Sequence, residues 1–241
     1  MSLNPSPMVI RCGEDDAITL SPGQSIYENI YLSYGKEGFY FKNLGRYKVQ
    51  ASIPSFNGIL KSNTYEFAIA QPQSLTENKY INSIFTQDKG QWLYLKGADH
   101  LLNAETDLLS LKNHIEDTNL ARYIQLYKGS RLSRSFKSVV GNKVTKREQL
   151  QKQALQELES SIAPTRTEEI PFNNILLNDI MNKIVDIQKN LGKLTDAKDT
   201  ISKQIDYLKE RKAAHFVLAR LEQKYDNIRK SKTIDKVSKK K

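Results

Sequence analysis

Cysteine is nearly absent: Cys12 is the only one in 241 residues, so no internal disulfide forms and no zinc cluster can be built on thiolates. No histidine lies near it in sequence, and it reads as a buried structural thiol rather than a nucleophile. No run of about 18 apolar residues occurs, which excludes a membrane-spanning helix. The opening Met1-Ser-Leu-Asn-Pro-Ser-Pro lacks the basic and apolar regions of a secretory signal. We therefore expect either an intracellular protein or an internal piece of a longer one.

Catalytic signatures are missing as well. His100, His114 and His215 stand far apart, in no metal-ligand spacing. Asp15-Asp16 sits in a turn and Glu168-Glu169 in a linker, too few oxygens for a calcium site. There is no glycine-rich phosphate loop after a strand and no G-x-S-x-G elbow. The chain reads as non-enzymatic, with no cofactor and no metal.

What is present in excess is positive charge, and it is clustered. The formal net charge is +10. Residues 128–152 carry Lys128, Arg131, Arg134, Lys137, Lys143, Lys146, Arg147 and Lys152 against Glu148 alone, for +7. Residues 224–241 contribute a further +6, which leaves the rest at −3. Two basic clusters on a mildly acidic body can attract nucleic acid, anionic lipid or an acidic partner, or simply be a solvated helix face and a frayed tail. As candidate polyanion contacts we take Arg131, Arg134, Lys143, Lys146 and Arg147. No glycine-aromatic signature of an RNA-recognition sheet accompanies them, so that reading rests on charge alone.

The first seventy residues read as strands: 8–12, 17–20, 25–34, 38–42, 46–53 and 64–71 are rich in Ile, Val, Tyr, Phe and Thr, with glycine turns between them. Tyr47, Val49, Ala51 and Ile53 alternate with polar residues, as do Tyr65, Phe67 and Ile69. Strands buried on one face imply antiparallel sheets. The stretch Asn43-Leu-Gly-Arg-Tyr-Lys-Val-Gln-Ala51 resembles the Asp-x-Gly-x-Tyr-x-Cys-x-Ala run of immunoglobulin-like domains. Leu20-Ser-Pro-Gly-Gln-Ser25 resembles a turn of bacterial immunoglobulin-like and fibronectin-type modules. The resemblance covers about 65 residues. It implies a β-sandwich in which the Tyr47 hydroxyl bonds back to the preceding turn and Val49 replaces the disulfide cysteine.

Helical signals follow Pro72. Ser74-Leu-Thr-Glu77 and Thr145-Lys-Arg-Glu148 both have the spacing of a capping box. Apolar residues from Tyr80 to Phe136 suggest a compact three-helix unit, with Gly141-Asn142 ending it. From Leu177 to Leu208 an apolar ladder advances in alternating steps of three and four: Leu177, Ile180, Ile184, Ile187, Leu191, Leu194, Lys198, Ile201, Ile205 and Leu208. A 3.5-residue period keeps one seam of a helix against a partner helix. The ladder favours one helix running through Gly192, and after Leu208 the phase shifts, which marks a stutter or a turn.

The expected fold is α+β: an N-terminal antiparallel immunoglobulin-like β-sandwich, a compact helical unit and a long C-terminal helix or coiled coil. Its boundaries are 1–73, 74–140, 141–170 for a basic helix and linker, and 171–241 with a Lys-rich tail. The leading functional expectation is a non-catalytic interaction or scaffolding module, a candidate piece of a larger bacterial protein. Its interaction seam would be Ile180, Ile184, Ile187, Leu191, Ile201 and Ile205, serving a protein partner or self-association. Polyanion binding is the alternative, with nucleic acid as a candidate partner. Carbohydrate or inhibitor binding by the sandwich is the weaker third.

Overall fold

The computed structural model describes residues 22, 32–35, 37–55, 58–72, 75–112, 119–163, 172–212 and 215–238. They form two compact units, one from Leu32 to Tyr94 and one made of Pro22 and the residues from Leu95 onward. Cys12, the acidic pairs, Ser74 and the strand-like runs 8–12 and 17–20 lie outside the described residues.

The first unit contains six strands, β1 (Tyr34–Gly35), β2 (Gly38–Phe39), β3 (Gly45–Val49), β4 (Ser52–Ser55), β5 (Gly58–Lys61) and β6 (Tyr65–Ile69), then α1 (Leu75–Ile84) and α2 (Gln87–Tyr94). The strands pair only two by two: β1 with β2, β3 with β6, and β4 with β5, all antiparallel. No sandwich exists among the described residues, which overturns the immunoglobulin-like reading.

The physical reason lies in where the alternating residues go. Tyr47 and Val49 pair with Phe67 and Tyr65, and Phe41 packs edge-on against both Tyr47 and Phe67 at 5.1 Å. Rings on one half-buried face thus take the place an opposing sheet would occupy. Further along the ribbon Ile53, Ile59 and Leu60 are more than 60% exposed, so that part covers no core at all. Between the two ladders Gln50 and Ala51 face Ser62, Asn63 and Thr64, a bulge-like offset that shifts the register by one. The Tyr47 hydroxyl does donate to the Asn43 carbonyl at 2.7 Å. The corner motif is thus a local turn device here, independent of a sandwich.

The core of this unit forms where the β1–β2 hairpin meets α2. Tyr34 and Phe39 lie edge-to-face at 5.0 Å, and Phe39 meets Phe85 at 4.9 Å. Any side chain at Gly90 would collide with the Tyr34 and Phe39 rings.

The second unit holds α3 (Leu102–Lys112), α4 (Asn119–Leu132), β7 (Phe136–Val140), β8 (Lys143–Arg147), α5 (Gln151–Ile162), α6 (Asn174–Asn190), α7 (Leu194–Glu210) and α8 (His215–Ser238). Helices α4 and α5 touch closely at Gly129, where a Cβ would sit 2.8 Å from Leu158 Cγ. Arg122 donates to the carbonyls of Ser161 and Ala163 at 2.9 and 2.7 Å, neutralising the frayed end of α5.

Two readings of this unit are corrected. Phe136 belongs to a strand, not a helix, and Thr145 lies within β8, so its capping box does not form. Gly141, at φ 57°, supplies the first position of the two-residue hairpin loop between Val140 and Lys143. Helix α5 then starts at Gln151 without a side-chain cap.

The ladder is also interrupted. Helix α6 ends at Asn190, and Gly192 adopts φ 74°. Its N–H bonds the Lys189 carbonyl at 2.9 Å and the Lys193 N–H bonds Gln188 at 2.8 Å. That pair of bonds is a Schellman motif, in which glycine at the left-handed position is an asset. The phase shift after Leu208 is a turn too: Lys212 ends α7 at φ 53°. In the resulting bundle Ile180, Ile184, Ile187, Ile201 and Ile205 are buried, and Leu191 caps α6 half-exposed. Val185, Ala197, Ile201, Ile205, Leu208, Leu221 and Ile228 form one apolar cluster. The α7 part of the seam, Ile201 and Ile205, therefore packs within the chain against α6 and α8, while Ile180, Ile184 and Ile187 are buried on α6.

The sign of one stability change separates the two geometries. In a continuous helix Gly192→Ala would stabilise by about 1 kcal/mol. At φ 74° it should destabilise by about 1 kcal/mol, read from denaturant midpoints. Charged substitutions Ile184→Lys with Ile187→Lys should abolish cooperative melting, because both positions are buried in the bundle.

Candidate functional site

The richest polar constellation surrounds the β7–β8 hairpin. Arg131, at the end of α4, grips Glu105 of α3 with two hydrogen bonds of 2.7 Å and reaches Asp99 at 2.8 Å. Arg147, at the end of β8, also takes Asp99 through both of its oxygens and donates to the Arg131 carbonyl at 2.9 Å. Two guanidinium groups face two carboxylates, and all four side chains are less than a fifth exposed. Such a buried network is neutral as a whole, and each charge depends on its partners for the solvation it has lost. Burial alone would raise the Asp99 carboxyl, but hydrogen bonds from Arg147 and Arg131 outweigh it and hold the group below the ordinary carboxylate range.

The candidate polyanion contacts therefore separate into two kinds. Arg131 and Arg147 are spent on the network. Lys143 and Lys146 are exposed on the hairpin, and Arg134 sits at its base, donating to the Gly97 carbonyl at 3.2 Å. Lys137, directly opposite Lys146, joins them. No acidic residue occurs from 135 to 147. Like charges directly opposite each other disfavour a two-stranded ribbon, and the Asp99 clamp offsets that cost by fixing the hairpin's foot. The ribbon is cationic on both faces: Lys137 and Lys146 share one, and Lys143 lies on the other. Reading Lys137 as helical hid this pairing, whereas a two-residue strand period would have exposed it.

The second basic cluster is only partly placed. Lys224 is bonded to Asn182 at 3.0 Å and paired with Asp186, tying α8 to α6. The side chains from Arg229 onward lie outside the described residues. His100 and His215 are exposed, and no group of three or more metal-ligating side chains occurs among the described residues. No described helix is long and apolar enough to cross a membrane. Comparison with known proteins finds no matching protein family, no similar curated protein and no similar solved structure.

The network makes a pH prediction. A carboxyl whose folded pKa is depressed contributes stability fully above its unfolded value of about 3.9, and this is lost as pH falls through the folded value. Wild-type melting temperature should therefore drop steeply below about pH 4. Asp99→Asn should cost on the order of 3 kcal/mol at pH 7 and flatten that acid limb, measured by circular dichroism melts.

Proposed function

We propose that this chain is a non-catalytic binding protein whose β7–β8 hairpin holds duplex nucleic acid through its phosphates. The observation that carries this reading is an acid-free ribbon with exposed lysines on both faces, anchored by the Asp99 clamp. A ribbon entering a groove meets phosphates on two walls, and a major groove admits a two-stranded ribbon. A flat anionic membrane would engage only one face. The binding would be electrostatic and largely independent of base sequence, since lysine contacts to phosphate carry no base information.

The other expectations have less support. Assembly through the ladder has none from the placement of its residues, which already pack within their own chain. The carbohydrate and inhibitor reading depended on a sandwich, which the described residues do not form.

Salt dependence tests the proposal. If the three hairpin lysines neutralise phosphates, Lys137→Gln, Lys143→Gln and Lys146→Gln together should weaken duplex binding. They should also make the slope of log K against log salt shallower by about 2.7. Fluorescence polarisation with a labelled duplex, beside anionic vesicles, measures both. Binding that is absent, indifferent to salt or unchanged in the triple variant would remove the proposal.

A further inference from the structure

At the foot of the hairpin a cleft of about 420 Å³ opens between the end of α4, the start of α5 and α6. Its lining includes Arg134, Lys183, Asp179, Asp186, Gln149, Gln151 and Asn190. None of the hairpin lysines reaches it.

The charge arrangement here differs from that of the Asp99 network. Arg134 is held by carbonyls, those of Gly97 at 3.2 Å and Lys96 at 3.5 Å, and the carboxylate that acts on its charge, Asp99, is already shared by Arg131 and Arg147. The turn that presents those carbonyls is a committed one. Lys96 and Gly97 have φ 53° and 87°, and a Cβ at Gly97 would sit 2.6 Å from the Tyr127 carbonyl. A non-glycine residue in the left-handed region is strained, and such strain is typical of sites where geometry is needed for another purpose.

Lys183 enters from α6 and donates to the Ser130 hydroxyl at 3.3 Å, again a neutral partner. Neither cation forms an ion pair among the described residues. Desolvation, then the Arg134 charge, pushes the Lys183 ammonium down, with Asp179 opposing and Lys96 adding to it. Asp179, one helical turn away, is itself raised by desolvation against the pull of Lys183 and Lys96. Asp186 also lines the cleft but is paired with Lys224 at 3.1 Å, which leaves Asp179 as the carboxylate set among Arg134, Lys183 and Lys96.

We propose that this cleft binds a phosphate monoester of a hydroxylated carrier, with Arg134 and Lys183 on the phosphoryl oxygens and Asp179 accepting a carrier hydroxyl. Arginine and lysine are the side chains suited to phosphoryl oxygens. The amides of Gln149 and Asn190 add donors around the rim, with Gln151 donating to Gln149 Oε1 at 3.0 Å, and the volume is in the range of small-ligand sites. Asp179 would repel a bare anion, so its presence beside the cations favours a phosphate that brings a hydroxyl with it. Such a group is found in a free sugar phosphate and at the phosphorylated end of a nucleic-acid strand. The proposal does not need the hairpin lysines.

Titration calorimetry on the full chain with ribose 5-phosphate, ribose and inorganic phosphate tests it, beside polarisation with a 5′-phosphorylated and an unphosphorylated duplex. Ribose 5-phosphate should bind where ribose does not. Lys183→Gln and Arg134→Gln should each weaken it at least about tenfold, the loss of one charge-assisted contact. Lys183→Arg should retain binding, and the hairpin triple variant should leave it unchanged. Asp179→Asn should weaken ribose 5-phosphate while strengthening inorganic phosphate.

A response confined to the phosphorylated duplex, and lost in Lys183→Gln, would identify the strand end as the source of the group. Silence of both phosphorylated probes would overturn the proposal, as would binding indifferent to the Lys183 and Arg134 changes. If Lys183→Gln does not melt cooperatively, the opposite responses expected of Asp179→Asn decide instead.

Discussion

The second unit turns on one buried contact, Asp99 shared between Arg131 and Arg147, with Glu105 completing the charge balance on Arg131. It joins the segment before α3, helix α3 itself, the end of α4 and the end of β8. Desolvating four charges is costly, and the fork geometry of the two guanidinium groups is what recovers it. Because Arg147 also reaches the Arg131 carbonyl, the hairpin leaves and rejoins the helical body at a fixed point. The exposed lysines beyond that point are therefore carried on an anchored stem.

This contact also divides the basic cluster by role. Arginines near carboxylates became structure, and lysines beyond their reach remained available to solvent. Arg134 is an intermediate case, oriented by backbone carbonyls that fix its position without cancelling its charge. Charge counted along the chain treats all of these alike. Which of them can meet an anion depends on what each one faces.

Much of the helical architecture was legible. Of the 3.5-residue ladder, Leu177, Ile180, Ile184, Ile187, Ile201, Ile205 and Leu208 are buried on α6 and α7, while Leu191, Leu194 and Lys198 are half-buried. Its partner was not legible, because periodicity identifies an apolar face and says nothing of what covers it. Gly192 shows the difficulty: the same residue is a weak helix former inside a rod and a favoured terminator in a Schellman motif, and only the chain reversal selects between them. Lys212 ends α7 with neither glycine nor proline to announce it. In the first unit the alternation of Tyr47 with Val49 is real, and so is the Tyr47 bond to Asn43. Both are local, and a sandwich requires a second sheet that no local motif can specify. The cleft residue Lys183 was invisible for a related reason, since four residues after Asp179 it reads as an ordinary helical ion pair.

By itself, then, the amino-acid order determined the apolar helical faces, the acid-free stretch from 135 to 147 and the want of thiolate or histidine clusters. These follow from spacing and composition, which act over a few residues. The tertiary structure decided that the seam closes on its own chain, that the basic stretch is a ribbon, and that two of its arginines are neutralised while Arg134 and Lys183 converge. Those outcomes depend on desolvation and on contacts between residues as much as 53 positions apart, as Lys183 and Ser130 are. Energies of that kind exist only once the chain has folded around them.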